Sequence, residues 1–151
     1  MRYRAIFLDR DGTLVEPRHY PTRPDDLVLY SRIAPGLRRL RSAGFKLVVV
    51  TNQSGIARGY LNTQQLHDMH RSLSRRLARL GVQIDRYYHC PHHPDGVVPG
   101  LSVSCTCRKP QPGMLLRAAT ELHLDLERSW LIGDILADVE AGNRAHCRTV
   151  L

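Results

Sequence analysis

Lysine is nearly missing from this chain. Of 22 basic residues only Lys46 and Lys109 are lysines, and the other twenty are arginines. A bias this even belongs to composition, so it does not by itself mark a basic binding surface. Long apolar runs are missing too. None approaches the roughly 18–20 residues that span a bilayer, which excludes a membrane helix. The opening "MRYRAIFLDRDG" holds a short apolar run and then turns acidic, unlike a signal peptide. There is no repeat, low-complexity tract or linker. Aromatic residues are 6% of the chain and are not interleaved with the basic ones, which counts against stacking on nucleic acid. A soluble, cytoplasmic protein is expected.

What is present fits one domain, 1–151. That length is ordinary for a domain and buries a core without crosslinks, and 42% hydrophobic residues argue against general disorder. The charge balance is 22 basic to 14 acidic, or +8, so nucleic-acid binding has to be weighed. The arginines are scattered, however. The one cluster, Arg71, Arg75, Arg76 and Arg79, fits the solvated face of a helix. A basic surface still favours an anionic substrate. No nucleic-acid or membrane partner is expected, and no dimerisation element is visible, so a monomer is expected.

Apolar runs alternate with helical patterns. Residues 4–9 and 45–51 are β-branched-rich and apolar on both faces, as buried parallel strands are. Residues 130–134 read the same way, and 86–90 and 147–151 are weaker strands. Leu66, Met69, Leu73, Leu77 and Leu80 recur at helical spacing, from an N-cap at Thr63 to Gly81. Further helices are predicted over Pro112–Leu122 and about Leu136–Arg144. Strands alternating with helices predict an α/β fold with a doubly wound, Rossmann-like parallel sheet. Ligands in such sheets sit beyond the carboxyl ends of the strands. Those ends carry "DRDGT", "TNQSG" and "GDILAD".

Asp9 closes the first strand, and Gly12 permits a turn that lets Asp11 share its small volume. Like charges that close repel unless a cation joins them. Asp134 and Asp138 add further carboxylates to the same edge. Oxygen-only ligands suit a hard cation such as Mg²⁺. Lys109 and the backbone N–H groups after Thr51 offer donors to phosphate oxygens. Such a site supports attack of a carboxylate on phosphorus. A second carboxylate protonates the leaving alkoxide and later activates water. A lone Asp-x-Asp-Gly is often a turn or a calcium loop, but no ligand alternation follows Gly12 as an EF-hand requires.

"FLDRDGT", "VVVTNQSG", "CRKP" and "LIGD" together resemble the four signature motifs of the haloacid dehalogenase superfamily of phosphatases. The resemblance covers nearly the whole chain. It implies Asp9 as nucleophile and Asp11 as general acid/base. It implies Mg²⁺ on Asp9, the backbone carbonyl of Asp11, and Asp134, with Thr51 and Lys109 stabilising the transferring phosphoryl group.

Three of four cysteines lie in "CPHHPDGVVPGLSVSCTCRKP" (90–110). Cys90-x-His92 and Cys105-x-Cys107 are two ligand pairs twelve residues apart. Three thiolates and an imidazole match a closed, structural zinc site. A redox pair is more often Cys-x-x-Cys, and a catalytic zinc keeps a position open. His89 and His93 stand beside these residues as alternatives for the fourth ligand. The resemblance implies Cys90, His92, Cys105 and Cys107 as the Zn²⁺ ligands, in a loop over 90–107. Cys147 reads as a small apolar strand residue. Because Cys107 is two residues before Lys109, the clip would also fix where Arg108 and Lys109 point.

Only about 35 residues separate Asp9 from the second strand, so no large cap domain is expected and the site should be open. Specificity would then fall to loops, through Arg18, His19 and Tyr20, Asn52, Gln53 and Ser54, and Arg108. Arg58 is a further candidate anion contact. Within the superfamily the long cysteine loop and "TNQSGIARGY" resemble a branch that hydrolyses sugar bisphosphates, which implies a phosphorylated sugar substrate. "VEPRHYP" and Ile135 depart from that branch. Histidinol-phosphate phosphatases share the motifs but have a shorter cysteine loop. A nucleic-acid-end 3′-phosphatase, or a zinc-containing nucleic-acid-binding module, is the reading from a different class.

Overall fold

The computed structural model describes residues 1–151. Five parallel strands form one sheet in the order β3-β2-β1-β4-β5. They are β1 (Arg4–Leu8), β2 (Phe45–Asn52), β3 (Arg86–Cys90), β4 (Trp130–Ile132) and β5 (Arg148–Val150). Four helices connect them: α1 (Ile33–Ser42), α2 (Thr63–Arg79), α3 (Gly113–Leu122) and α4 (Leu136–Arg144). This is the doubly wound α/β architecture that the sequence predicts, with no cap domain inserted. No helix is long and apolar enough to cross a membrane.

Strand side chains alternate between the two faces of a sheet, and here both faces are buried. Ile6, Leu8, Leu47 and Val49 pack with Leu37 of α1 and Leu66, Met69, Leu73 and Leu77 of α2. Ala5, Phe7, Val48 and Val50 pack with Met114, Leu115 and Ala118 of α3 and Ala141 of α4. The run Leu47–Val50 is therefore apolar without alternation because each of its faces meets a helix layer.

Several boundaries differ from expectation. Helix α1 is not predicted above; its buried stripe is narrow, with Ala34 and Leu37 its only fully buried residues, and three of its other positions are arginines. Helix α2 is capped by Asn62, not Thr63. The Asn62 side chain accepts from the Gln65 amide at 2.8 Å, and the Gln65 side chain accepts from the Asn62 amide at 2.7 Å. That reciprocal pair satisfies two of the amides that a helix start leaves free. Asp9 falls one residue and Asp134 two residues beyond their strands, and the Asp9 amide still donates to the Ile132 carbonyl at 3.1 Å. Arg76 is not simply a solvated charge. Its guanidinium donates to the carbonyls of Leu27 (2.5 Å) and Pro24 (3.2 Å), tying the long β1–α1 loop to α2. Strand β5 is one edge of the sheet and β3 the other.

Candidate active site

The carboxyl ends of β1, β2 and β4 meet, and Lys109 reaches into their junction. Its Nζ donates to Asp9 Oδ1 at 2.8 Å, to Asp138 Oδ1 at 2.5 Å and to the Val50 carbonyl at 2.9 Å. Asp138, fully buried on the first turn of α4, uses its other oxygen to accept from the amides of Asp134 (3.2 Å) and Ile135 (3.3 Å). Asp138 thus ties the lysine to the loop that carries Asp134. The lysine's backbone is held as well. Its amide donates to Asn52 Oδ1 at 3.0 Å, and Asn52 Nδ2 donates back to its carbonyl at 3.1 Å.

One carboxylate oxygen from each of Asp9, Asp134 and Asp138 lies within 4.8 Å of the others. Two glycines allow this convergence. Gly12 sits at φ +88°, and a Cβ there would stand 1.9 Å from Asp134 Oδ2. A Cβ on Gly133 would stand 2.3 Å from Asp138. Both approaches require the missing side chain. All the donors are hard oxygens, so the cluster fits Mg²⁺ better than a softer metal. Because Asp138 is engaged by Lys109 and two amides, Asp9 and the exposed Asp134 are the two carboxylates left for a cation. The Asp11 carboxylate lies outside the cluster, leaving its carbonyl as what it could add.

Burial pushes the Asp9 carboxyl up to about 7; Lys109 opposes the rise and Asp138 adds to it. The nucleophile candidate is thus a carboxylate whose charge the fold resists.

Asp11 faces a different set of groups. Arg10, wholly buried, points its Nε (3.1 Å) and Nη2 (3.0 Å) at Asp11 Oδ1. Gln53 Nε2 contacts Asp11 Oδ2 at 3.2 Å and Thr51 Oγ1 at 2.9 Å. Beside Asp11 opens a cleft of about 300 Å³ lined by Arg18, His19, Tyr20, Asn52, Gln53 and Ser54 among others. Tyr20 is fixed edge-on between His19 (4.6 Å) and Tyr60 (4.8 Å). Six of the seven predicted substrate contacts therefore share one cleft. Arg108 does not line it. Its amide donates to Cys105 Sγ at 3.3 Å, so its course follows the cysteine loop. Loss of solvent first, and then the charges of Arg108 and Arg58, hold His93 below its ordinary range; the two arginines thus lie near that loop.

Cys90, His92, Cys105 and Cys107 converge as a second cluster. The Sγ atoms of Cys90 and Cys107 are 2.8 Å apart, and His92 Nδ1 is 3.3 Å from Cys107 Sγ. All four cysteines are free thiols. The hydrogen bond between Cys107 and Cys90 is the main cause lowering the Cys107 thiol to about 5. Three sulfurs and one ring nitrogen fit a closed tetrahedral cation site. His89 and His93 stay outside it.

Sequence reasoning missed Arg10 and His70. His70 is buried on α2, with Nε2 3.2 Å from Arg10 Nη1. Nothing in a linear reading links residues sixty positions apart.

The strand-end carboxylates, the lysine and the doubly wound sheet define a hydrolase of the haloacid dehalogenase type. The model of the HAD-hydrolase-like family matches residues 106–151. The chain is 44% identical over 145 residues to the D-glycero-beta-D-manno-heptose-1,7-bisphosphate 7-phosphatase of Yersinia pestis, covering 96% of this chain and 77% of that one. It is 41% identical over 147 residues to the alpha-anomer enzyme of Photorhabdus laumondii, covering 95% and 79%. The crystal structure of D,D-heptose 1,7-bisphosphate phosphatase from B. bronchiseptica, complexed with magnesium and phosphate, superposes with a TM-score of 0.85 at 35% identity, covering 97% of this chain and 78% of that one. The chain belongs to the family of the D-glycero-D-manno-heptose-1,7-bisphosphate 7-phosphatases.

Proposed function

We propose that the chain is a Mg²⁺-dependent phosphatase that removes the 7-phosphate of D-glycero-D-manno-heptose 1,7-bisphosphate through an aspartyl phosphate. The observation that carries this reading is the meeting of Asp9, Lys109 and Asp134 at the strand ends, beside a polar cleft that Asp11 borders. Asp9, the Asp11 carbonyl and Asp134 would hold Mg²⁺, which when bound neutralises charge on the phosphoryl oxygens.

An Asp9 oxygen attacks phosphorus. The bond to the sugar oxygen breaks, and that oxygen takes the proton of Asp11. Asp11, now a carboxylate, removes a proton from the water that attacks the phosphorus on Asp9; the Asp9 O–P bond breaks and inorganic phosphate leaves. The Asp9 carboxylate is released and the proton is back on Asp11. Thr51 and Lys109 donate to the transferring oxygens. Arg18, His19, Tyr20, Asn52, Gln53 and Ser54 orient the sugar, and Arg108, on the cysteine-loop side, serves its second phosphate. The cysteine cluster is read as a structural Zn²⁺ site that fixes the loop from which Lys109 emerges. One cytoplasmic, monomeric domain over 1–151 accommodates all of this.

The test is turnover with Mg²⁺ of both anomers of the heptose 1,7-bisphosphate, histidinol phosphate and a 3′-phosphorylated oligonucleotide. A heptose bisphosphate should be hydrolysed at least tenfold faster, in kcat/KM, than the other two compounds. Equal or lower turnover of the heptose compounds removes the substrate assignment.

A further inference from the structure

The mechanism leaves one buried assembly unexplained. Arg10 is a fully buried arginine behind the active site. A guanidinium stays charged in proteins and is rarely buried without partners. Here it has two. On one side, Nε donates to Asp11 Oδ1 at 3.1 Å, and Nη2 lies 3.0 Å from the same oxygen as an ion pair, without a hydrogen bond. On the other, Nη1 lies 3.2 Å from His70 Nε2. Arginine has no lone pair to give, so His70 Nε2 is the acceptor and the proton of the neutral ring sits on Nδ1. Burial first, and then the charge of Arg10, hold the imidazole down at about 3, so it is neutral at any working pH. The ring is fixed in turn: it stacks on Tyr87 at 4.5 Å and 16°, and the Tyr87 hydroxyl meets Ser74 Oγ at 2.9 Å. Helix α2 and strand β3 thus hold Arg10, and Arg10 holds Asp11.

The consequence lies in the lone pairs of Asp11. A carboxylate oxygen has two accepting directions. Oδ1 accepts from Arg10 Nε and lies in ion-pair contact with Nη2. Oδ2 has one neighbour, the Gln53 amide at 3.2 Å, and keeps a direction free. We infer that Arg10, anchored by His70, is the positioning residue that reserves Asp11 Oδ2 for the proton exchanged with the leaving sugar oxygen. The inference rests on the aspartyl-phosphate reading of the site. In an open site without a cap, holding the acid in place must come from behind, and this assembly is behind it.

The test compares two leaving groups. A primary sugar phosphate departs as an alkoxide and needs a proton; p-nitrophenyl phosphate departs as a stabilised phenolate and needs little help. The parameter is kcat/KM, which counts only the steps through phosphorylation of Asp9 and ignores later release. Arg10→Met should lower kcat/KM about 100-fold for heptose 1,7-bisphosphate, within the roughly 10²–10⁴-fold range of general acid catalysis. It should lower it less than about fivefold for p-nitrophenyl phosphate. Equal losses on both substrates mean a merely structural role and overturn the inference, as does no loss on either.

His70 supplies an independent arm if Arg10→Met does not fold. His70→Leu removes the acceptor and should cost about tenfold on the sugar phosphate alone. His70→Gln, whose amide oxygen can accept the same bond, should recover to within about threefold of wild type. If the two His70 variants behave alike, the anchoring is overturned. A wild type that ignores the heptose substrate defeats the substrate assignment only, and the same ratio is then taken with histidinol phosphate or glycerol 3-phosphate. A wild type inert to every primary alkyl phosphate removes both readings.

Discussion

Replacing Asp9, the proposed nucleophile, should make the metal-free protein more stable. Asp9 is 8% exposed, and burial lifts its carboxyl from 3.8 to about 7 even with Lys109 beside it. The sign follows from linkage. Below about pH 4 the group is protonated in both folded and unfolded chains and costs nothing. As pH rises through the interval to about 7, the unfolded chain ionises while the fold retains the proton, so stability is lost. Above about 7 both are ionised and the loss is complete. At 1.36 kcal/mol per pKa unit that loss reaches about 4 kcal/mol.

Asp9→Asn never ionises and escapes it. Lys109 is not stranded by the change, because Asp138 and the Val50 carbonyl still accept from it. In a chelator at pH 8 the variant should therefore gain up to about 4 kcal/mol, each kcal/mol worth roughly 2–4 °C in Tm for a chain of this size. By pH 4.5 the gain should shrink to about 1 kcal/mol. Millimolar Mg²⁺ should then raise the wild type by RT ln(1 + [L]/Kd), about 2.7 kcal/mol at a hundredfold excess over Kd, and narrow the gap. The assay is thermal unfolding of both proteins at the two pH values, with turnover measured in parallel; Asp9→Asn should have none. A Tm difference no larger at pH 8 than at pH 4.5 would refute the reasoning.

Lys109→Met removes the cation between Asp9 and Asp138 and should cost about 3–5 kcal/mol in urea unfolding at pH 8, the usual cost of stranding buried charge; a loss under about 1 kcal/mol would show the pair needs no counter-charge. Cys107→Ser should lower bound zinc, measured by atomic absorption, and cut kcat/KM at least tenfold by freeing the segment before Lys109. Full activity in a zinc-free variant would show that the loop needs no metal.

The parallel sheet and its strand-end motifs were legible because buried strands are apolar on both faces and then stop at carboxylates. The cysteine cluster was legible because metal ligands come in short spaced pairs. Helix α1 was passed over: Ile33, Leu37 and Leu40 do recur at helical spacing, but the segment is short, carries Pro35-Gly36 in its first turn and three arginines after it. Asn62 was passed over for Thr63 because either can cap, and only the reciprocal bond with Gln65 decides between them. Asp138 was visible as an acid but not as the lysine's anchor. Arg10 and His70 were invisible because their relation exists only once α2 lies over the end of β1. Arg108 was predicted with the cleft residues, yet its backbone belongs to the cysteine loop.

An ammonium group has three N–H bonds, and those of Lys109 already serve Asp9, Asp138 and the Val50 carbonyl. None is idle. A phosphate oxygen that engages this lysine must displace a protein oxygen, so recognition there is an exchange of partners rather than an added bond. Asp138 and Val50 are sealed in the interior, whereas Asp9 retains some exposure; Asp9 is the partner that yields. The same event that brings a phosphate to Lys109 therefore releases the carboxylate that, in the proposed mechanism, attacks it.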